Sequence, residues 1–222
     1  MRLARCGVPM KSCDIVSVDP ESPDPDAITR AAALIRSGGL VVFPTSSFYG
    51  IGAQALNPEA VGRVFQVKQR DPEKPLLILI ASRTDLDALV QSIPETATRL
   101  MKAFWPGSLT LVFEAADRLP PNLTGYTRKI GIRLAGHPVA ISLIKAVGAP
   151  ITGTSANFSG HAAFRAAADL ESRLREQVDL ILDAGTLGTG EASTVVDVTA
   201  DTAKILREGA IDAAKIRTVL EG

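Results

Sequence analysis

Histidine and cysteine are scarce in this chain, with two of each in 222 residues. His137 and His161 stand apart from any second ligand, which speaks against a dedicated zinc-hydrolase site. Nor do they complete a Ser-His-Asp or Cys-His arrangement for nucleophilic catalysis. Cys6 and Cys13 lie in a polar N-terminal stretch at a spacing that matches no common zinc or redox motif, so both are expected to be ordinary reduced thiols. Net charge is missing as well, since 24 Lys and Arg balance 24 Asp and Glu. A protein that grips nucleic acid or an anionic membrane over its whole surface needs uncompensated cations; here only a local anion site is expected. No apolar run approaches the roughly 18 residues that span a bilayer. The opening segment Met1–Asp14 lacks the apolar centre of a secretory signal, and a cytoplasmic protein without membrane contact is expected. Neither GxGxxG nor a P-loop ending in Gly-Lys-Ser or Gly-Lys-Thr occurs.

What is present describes a globular α/β chain. Hydrophobic residues make up 46% and charged residues 22%, and a chain of this length buries roughly 70% of its unfolded surface. Residues 1–25, with four prolines and no sustained period, read as an arm or first edge strand; residues 26–222 read as one catalytic domain. Asp24 caps a helix opened by Pro25, with Ile28, Ala31, Ala32 and Ile35 on one face and Gly38-Gly39 as its stop. Leu40–Phe43 reads as a buried strand. Asn57 and Pro58 open a second helix that reaches Lys68, and Pro72 and Pro75 prevent its continuation. Further strands are predicted at Leu76–Ala81, Leu109–Phe113, Ile130–Leu134, Pro150–Thr152, Leu180–Asp183, Thr194–Val198 and Lys204–Leu206. Helices are predicted near 85–91, 95–104, 138–147, 165–176 and 212–220. Interleaved helices and strands, with several strands in succession near the end, predict a single domain with a twisted mixed sheet flanked by helices.

Two loops carry the chemistry. Lys68, Arg70 and Lys74 place three cations on a proline-stiffened segment between a helix and a buried strand, where Arg grips phosphate bidentately and Lys supplies a movable charge. Interleaved Asp71 and Glu73 also fit a solvated mixed-charge surface. Thr152–Gly160 offers hydroxyls, an amide and backbone N–H groups of the kind that cradle phosphate or ribose oxygens, and equally the residues of a plain turn. Arg133 sits on a strand on the face opposite Ile132 and Leu134 and needs an anionic partner, of which a core-rim Asp or Glu is the commoner kind. His137 before Pro138 reads equally as an unremarkable residue at a helix start.

Taken in order, these segments resemble the YrdC-like family, whose members combine L-threonine, bicarbonate and ATP into threonylcarbamoyl-AMP and pyrophosphate for the tRNA modification t6A. The resemblance runs from about Asp26 to Gly209. It rests on Pro44–Ile51 against the family's PTDTVYGL, on Lys-x-Arg-x-x-x-Lys-Pro-Leu from Lys68 and on Trp-Pro-Gly-x-Leu-Thr from Trp105. Arg-x-x-x-His-Pro from Arg133, Ser-Ala-Asn-x-Ser-Gly from Ser155, Ser-Thr-Val-Val-Asp from Ser193 and Arg-Glu-Gly from Arg207 complete it.

The resemblance implies a YrdC/RibB-like fold with a concave cavity and a nucleotidyltransferase activity that uses Mg²⁺ with ATP. It implies that Lys68, Arg70 and Lys74 form the catalytic set, Arg70 and Lys74 on the phosphates with Lys68 in support. Ser155, Asn157, Ser193 and Arg207 would complete the ATP site, and Thr45, Ser47 and Arg133 would meet the threonine. No metal ligand is expected from the protein itself. The implied product passes to a threonylcarbamoyl transferase complex acting on tRNA. The chain departs from the family pattern at Ser46, which replaces the acid of PTDT, at Ser47 for Thr, at Ala135 for Pro and at Leu79, often His in longer relatives. The extra C-terminal domain of those relatives is expected to be absent. Two alternatives stand beside this one: a same-fold paralogue that hydrolyses the adenylate or acts on another carbamoyl compound, and a double-stranded-RNA-binding module. Direct RNA binding is left open.

Overall fold

The computed structural model describes residues 13–188 and 190–221. Residues 1–12 of the expected N-terminal arm, Cys6 included, lie outside the described residues. The described part begins with β1 (Asp14–Ser17), α1 (Pro25–Arg36), β2 (Val41–Pro44), β3 (Tyr49–Gly52), α2 (Pro58–Lys68) and β4 (Ile78–Ile80). A 3₁₀ turn (Arg83–Ala88) leads to α3 (Glu95–Phe104), β5 (Leu109–Glu114), β6 (Lys129–Leu134) and α4 (Pro138–Val147). Then come β7 (Ile151–Thr152), β8 (Thr154–Ser155), a second 3₁₀ turn (Ala167–Asp169) and α5 (Ser172–Arg175). The chain closes with β9 (Leu180–Asp183), β10 (Thr194–Asp197), β11 (Lys204–Arg207) and α6 (Ala213–Glu221). No described helix is long and apolar enough to cross a membrane.

The fold is α/β with mixed strand pairing. Its hydrogen-bond ladders form two sheets, ordered β1-β9-β2-β3-β8 and β11-β10-β5-β6-β4-β7. They meet at the short run 151–155: β7 pairs with β4, Gly153 intervenes, and β8 pairs with β3. Gly153 is required there because a Cβ would stand 2.6 Å from Leu79 Cγ. β2 shows how one strand serves two cores. Val42 packs with Ile51, Val64, Ile78 and Ile132, while Val41 and Phe43, pointing to the opposite face, pack with Ile35 of α1 and Leu143 of α4.

Helix starts follow their sequence signals. Asp24 Oδ1 accepts from the Asp26 amide at 2.9 Å, and Asn57 Oδ1 accepts from the amides of Glu59 and Ala60 at 2.9 and 3.1 Å. Three elements differ from the sequence reading. Tyr49–Gly52 forms a strand, its two glycines allowing close approach to Thr45 and Phe43. The helix predicted near 85–91 is the 3₁₀ turn Arg83–Ala88, opened by a reciprocal cap between Ser82 and Asp85. The helix predicted at 165–176 is a 3₁₀ turn and the single turn α5, because the Arg175 guanidinium bonds to the carbonyls of Ala167, Ala168 and Leu170 and closes the backbone there.

Candidate functional site

The site begins where α2 ends. Gln69 takes the left-handed conformation (φ 49°), and the Arg70 amide bonds back to the Phe65 carbonyl at 3.0 Å, which turns the chain sharply past the helix terminus. Lys68 is left pointing inward, 2% exposed. Its Nζ donates to the carbonyls of Ser155 and Asn157 and to Asn157 Oδ1. An ammonium has three protons, and three acceptors use all of them. Burial, and then the charge of Arg70, lower its pKa to about 7, while the three acceptors suit only the protonated form, because a neutral amine donates two bonds. Lys68 therefore shapes the 155–157 segment. That segment is closed further by Ser155 Oγ donating to Asn157 Oδ1 at 2.6 Å and by Asn157 Nδ2 donating to the His161 carbonyl.

Arg70 braces its own loop, donating from Nε to the Lys74 carbonyl at 3.3 Å and from Nη2 to the Pro75 carbonyl at 3.0 Å. Burial lowers its pKa. Lys74 lies on the exposed turn that follows. Across the loop Gly125 (φ 55°) packs on the backbone of Glu73 and Pro75, where no side chain fits.

β6 supplies the second cation. Ile130, Ile132 and Leu134 face the core, and the alternate residues Lys129, Gly131 and Arg133 face the opposite side. Arg133 is 6% exposed and donates from Nε to the Gly107 carbonyl at 2.6 Å. Among the described residues no carboxylate pairs with it. The commoner kind of partner in the sequence reading, a core-rim Asp or Glu, is not found among the described residues. Burial, and then Arg207, lower its pKa to about 10. His137, at the end of the same motif, accepts from the Val139 amide at Nδ1 (3.2 Å) and caps α4.

Arg207 reaches the same space from β11. Nε and Nη2 donate to the Ser193 carbonyl at 3.1 and 2.7 Å, and Nη2 also donates to Ser193 Oγ at 3.2 Å. Ser193 Oγ in turn shares a hydrogen with Thr110 Oγ1 at 2.9 Å. The Arg-Glu-Gly motif is thereby explained. A Cβ on Gly209 would collide with the backbone of Ala192 and Ser193, and the Gly209 amide donates to Thr194 Oγ1 at 3.0 Å.

Two adjoining cavities result. The smaller, about 290 Å³, is lined by Thr45, Ser47, Arg133, Asn157 and Ser193 among others. Ser47 is buried there, in a turn held by Thr45 Oγ1 donating to the Phe48 carbonyl at 2.7 Å. The larger, about 490 Å³, is lined by Arg70, Thr110, Lys129, Asp197 and Leu206 among others. Leu77, Ser155 and Arg207 border both. Eight of the ten candidate residues read from the sequence thus converge on one compound cavity; Lys68 and Lys74 line neither part of it. Thr110, Lys129 and Asp197 were not singled out as site residues; the alternation along β6 puts Lys129 on the strand face of Arg133, whereas Thr110 and Asp197 join it only through the pairing of β5 and β10. Among the described residues no three His, Cys, Asp or Glu side chains group as a metal site. Asp197, the single carboxylate among the described residues that line either cavity, is engaged by Lys129 and Thr199.

Residues 33–209 match the Sua5_yciO_yrdC family model, described as telomere recombination. The chain belongs to the Sua5/YciO/YrdC family. It is 38% identical over 203 residues to a threonylcarbamoyl-AMP synthase of Bacillus subtilis, a match covering 91% of this chain and 59% of that protein. It is 39% identical to a putative threonylcarbamoyl-AMP synthase of Mycobacterium tuberculosis, covering 91% of this chain and 92% of the other. Its structure resembles that of Pyrococcus abyssi Sua5 complexed with L-threonine, with a TM-score of 0.89 at 38% identity, covering 93% of this chain and 60% of that one. The chain thus spans about three fifths of the B. subtilis and P. abyssi proteins it matches.

Proposed function

We propose that this protein condenses L-threonine, bicarbonate and ATP into threonylcarbamoyl-AMP and pyrophosphate, the activated intermediate of tRNA t6A modification. The carrying observation is Arg133, a buried guanidinium with no acidic partner among the described residues, which lines the smaller cavity together with Arg207. A buried cation in that state is costly unless an anion joins it. Two anionic substrates, one to each cavity, answer that need. The names of the B. subtilis and M. tuberculosis relatives and the threonine complex of the P. abyssi protein support the same assignment.

In this reading threonine occupies the smaller cavity, its carboxylate on Arg133 and its hydroxyl side chain beside Thr45 and Ser47. The triphosphate lies in the larger cavity along Arg70 and Arg207, with Ser155, Asn157 and Ser193 supplying neutral hydrogen bonds and Lys74 approaching from the exposed loop. Mg²⁺ would arrive with ATP and offset phosphate charge, since no carboxylate cage for it stands among the described residues. The threonine amine takes up bicarbonate with loss of water to give a carbamate. A carbamate oxygen then attacks the α-phosphorus and pyrophosphate leaves. No protein nucleophile is needed; alignment and fixed cations at the developing charge carry the acceleration. Transfer of the product to a tRNA-modifying complex, in the cytoplasm, follows from the same reading.

The test is pyrophosphate release by the purified chain given MgATP, bicarbonate and L-threonine, with the adenylate identified by mass. Release that requires threonine supports the synthase. Threonine-independent release, or hydrolysis of added threonylcarbamoyl-AMP without its synthesis, overturns it in favour of the hydrolytic paralogue.

A further inference from the structure

The larger cavity has a polar end that the proposed chemistry leaves unused. β5, β6 and β10 lay their side chains on its floor in rows. The antiparallel register that pairs Leu111 with Ile132 carries Thr110 opposite Arg133, and Thr110 pairs with Val195, which pairs with Arg207. Both arginines therefore border one row. The next row is Gly131, Val112 and Asp197, and beyond it stands Lys129. At about 3.3 Å per residue, Lys129 lies about 13 Å along β6 from Arg133, roughly the reach of an extended nucleoside monophosphate. Gly131 contributes no side chain between them, and Leu77 and Leu206 flank the space with apolar surface. Leu206 is 51% exposed.

Lys129 and Asp197 form a defined donor–acceptor pair at that end. Lys129 Nζ donates to Asp197 Oδ2 at 3.1 Å and to Thr199 Oγ1 at 2.6 Å, which leaves one of its three protons. Asp197 Oδ1 accepts from the Thr199 amide and hydroxyl at 2.9 and 2.6 Å, whereas among the described residues Oδ2 accepts from Lys129 alone and keeps a lone pair. Adenine presents a donor at its exocyclic amine beside an acceptor at N7; guanine presents two acceptors at the same edge. An ammonium beside a carboxylate matches the first and sets a carboxylate against the O6 of the second.

We propose that Lys129 and Asp197 select adenine, Asp197 Oδ2 accepting from the exocyclic amine and Lys129 Nζ donating to N7, with the purine ring between Leu77 and Leu206. This rests on the ATP reading above and adds the determinant of base identity. Calorimetric titration with MgATP, Mg-7-deaza-ATP, MgGTP and tripolyphosphate tests it. The wild type binds ATP about tenfold or more tightly than either 7-deaza-ATP or GTP, the worth of one hydrogen bond to a charged group. Lys129→Met binds ATP and 7-deaza-ATP alike, Asp197→Asn loses the preference over GTP, and both keep the wild-type affinity for tripolyphosphate. Equal wild-type affinity for ATP and 7-deaza-ATP, a measurement needing no variant, overturns the proposal while leaving the synthase reading intact. A wild type that binds no nucleotide overturns both.

Discussion

Lys68 holds Asn157 twice, by the backbone carbonyl at 2.7 Å and by the side-chain oxygen at 2.9 Å, from a position 89 residues earlier in the chain. The end of α2 and the 155–157 segment are thereby one unit. In Lys68→Met the three acceptors lose their donor inside the protein, and each such bond to a charged group contributes about 1.5–3 kcal/mol. At about 2–4 °C per kcal/mol for a chain of this length, a fall in Tm of about 10 °C or more is expected, with nucleotide affinity lost in step because the Ser155–Asn157 segment loosens. An unchanged Tm with lost activity would instead mark Lys68 as a direct phosphate contact.

Arg133 carries the opposite signature. It is buried with no acidic partner among the described residues, so Arg133→Met removes an uncompensated charge and is expected to leave Tm unchanged or raise it. Threonine-dependent pyrophosphate release is expected to fall about 100-fold or more, the cost of removing a preorganised charge partner. Thermal unfolding and initial rates on the same preparation check both halves.

Arg70 and Lys74 separate by location. Arg70 lines the larger cavity and braces its loop, whereas Lys74 is exposed. Arg70→Ala is expected to raise the KM for ATP about tenfold or more at any salt. The effect of Lys74→Ala is expected to be smaller and to fade as salt rises from about 0.05 to 0.5 M, as screening predicts for an exposed charge.

His137 gives the fold a dependence on acid. Its Nδ1 must be unprotonated to accept from the Val139 amide, and burial lowers its pKa below the ordinary 6.5. The folded state thus resists protonation that the unfolded chain accepts. Its contribution is fully present above about pH 6.5 and is lost as pH falls through the folded value. Tm measured from pH 8 to 5 is expected to decline faster in the wild type than in His137→Asn, which keeps a cap but does not titrate; parallel curves would exclude this role.

Several features were legible along the chain because they depend on near neighbours. The caps Asp24 and Asn57, the prolines at the helix starts and the apolar runs of β2, β5, β6 and β9 are local signals, and the structure places elements there. Tyr49–Gly52 was harder to read because its glycines suggest a turn, and only pairing with β2 and β8 makes it a strand. The 165–176 stretch has helical residues, yet the Arg175 guanidinium folds back on the carbonyls of Ala167, Ala168 and Leu170 within the same stretch, where only a 3₁₀ turn and a single helical turn form.

The site divides in the same way. Sequence by itself determined which side chains were available: a Lys-x-Arg loop, a strand arginine, hydroxyls at strand ends and a glycine after Arg207, each with chemistry fixed by residue type and local backbone. Only the tertiary structure decided what each of them faces. Lys68 and Arg70 are two residues apart, yet the left-handed turn at Gln69 sends one ammonium into the 155–157 segment and leaves the guanidinium on the cavity wall. Arg133 and Arg207 are 74 residues apart in sequence and share a cavity, because strand register brings distant residues into one row and, among the described residues, sets no carboxylate beside Arg133.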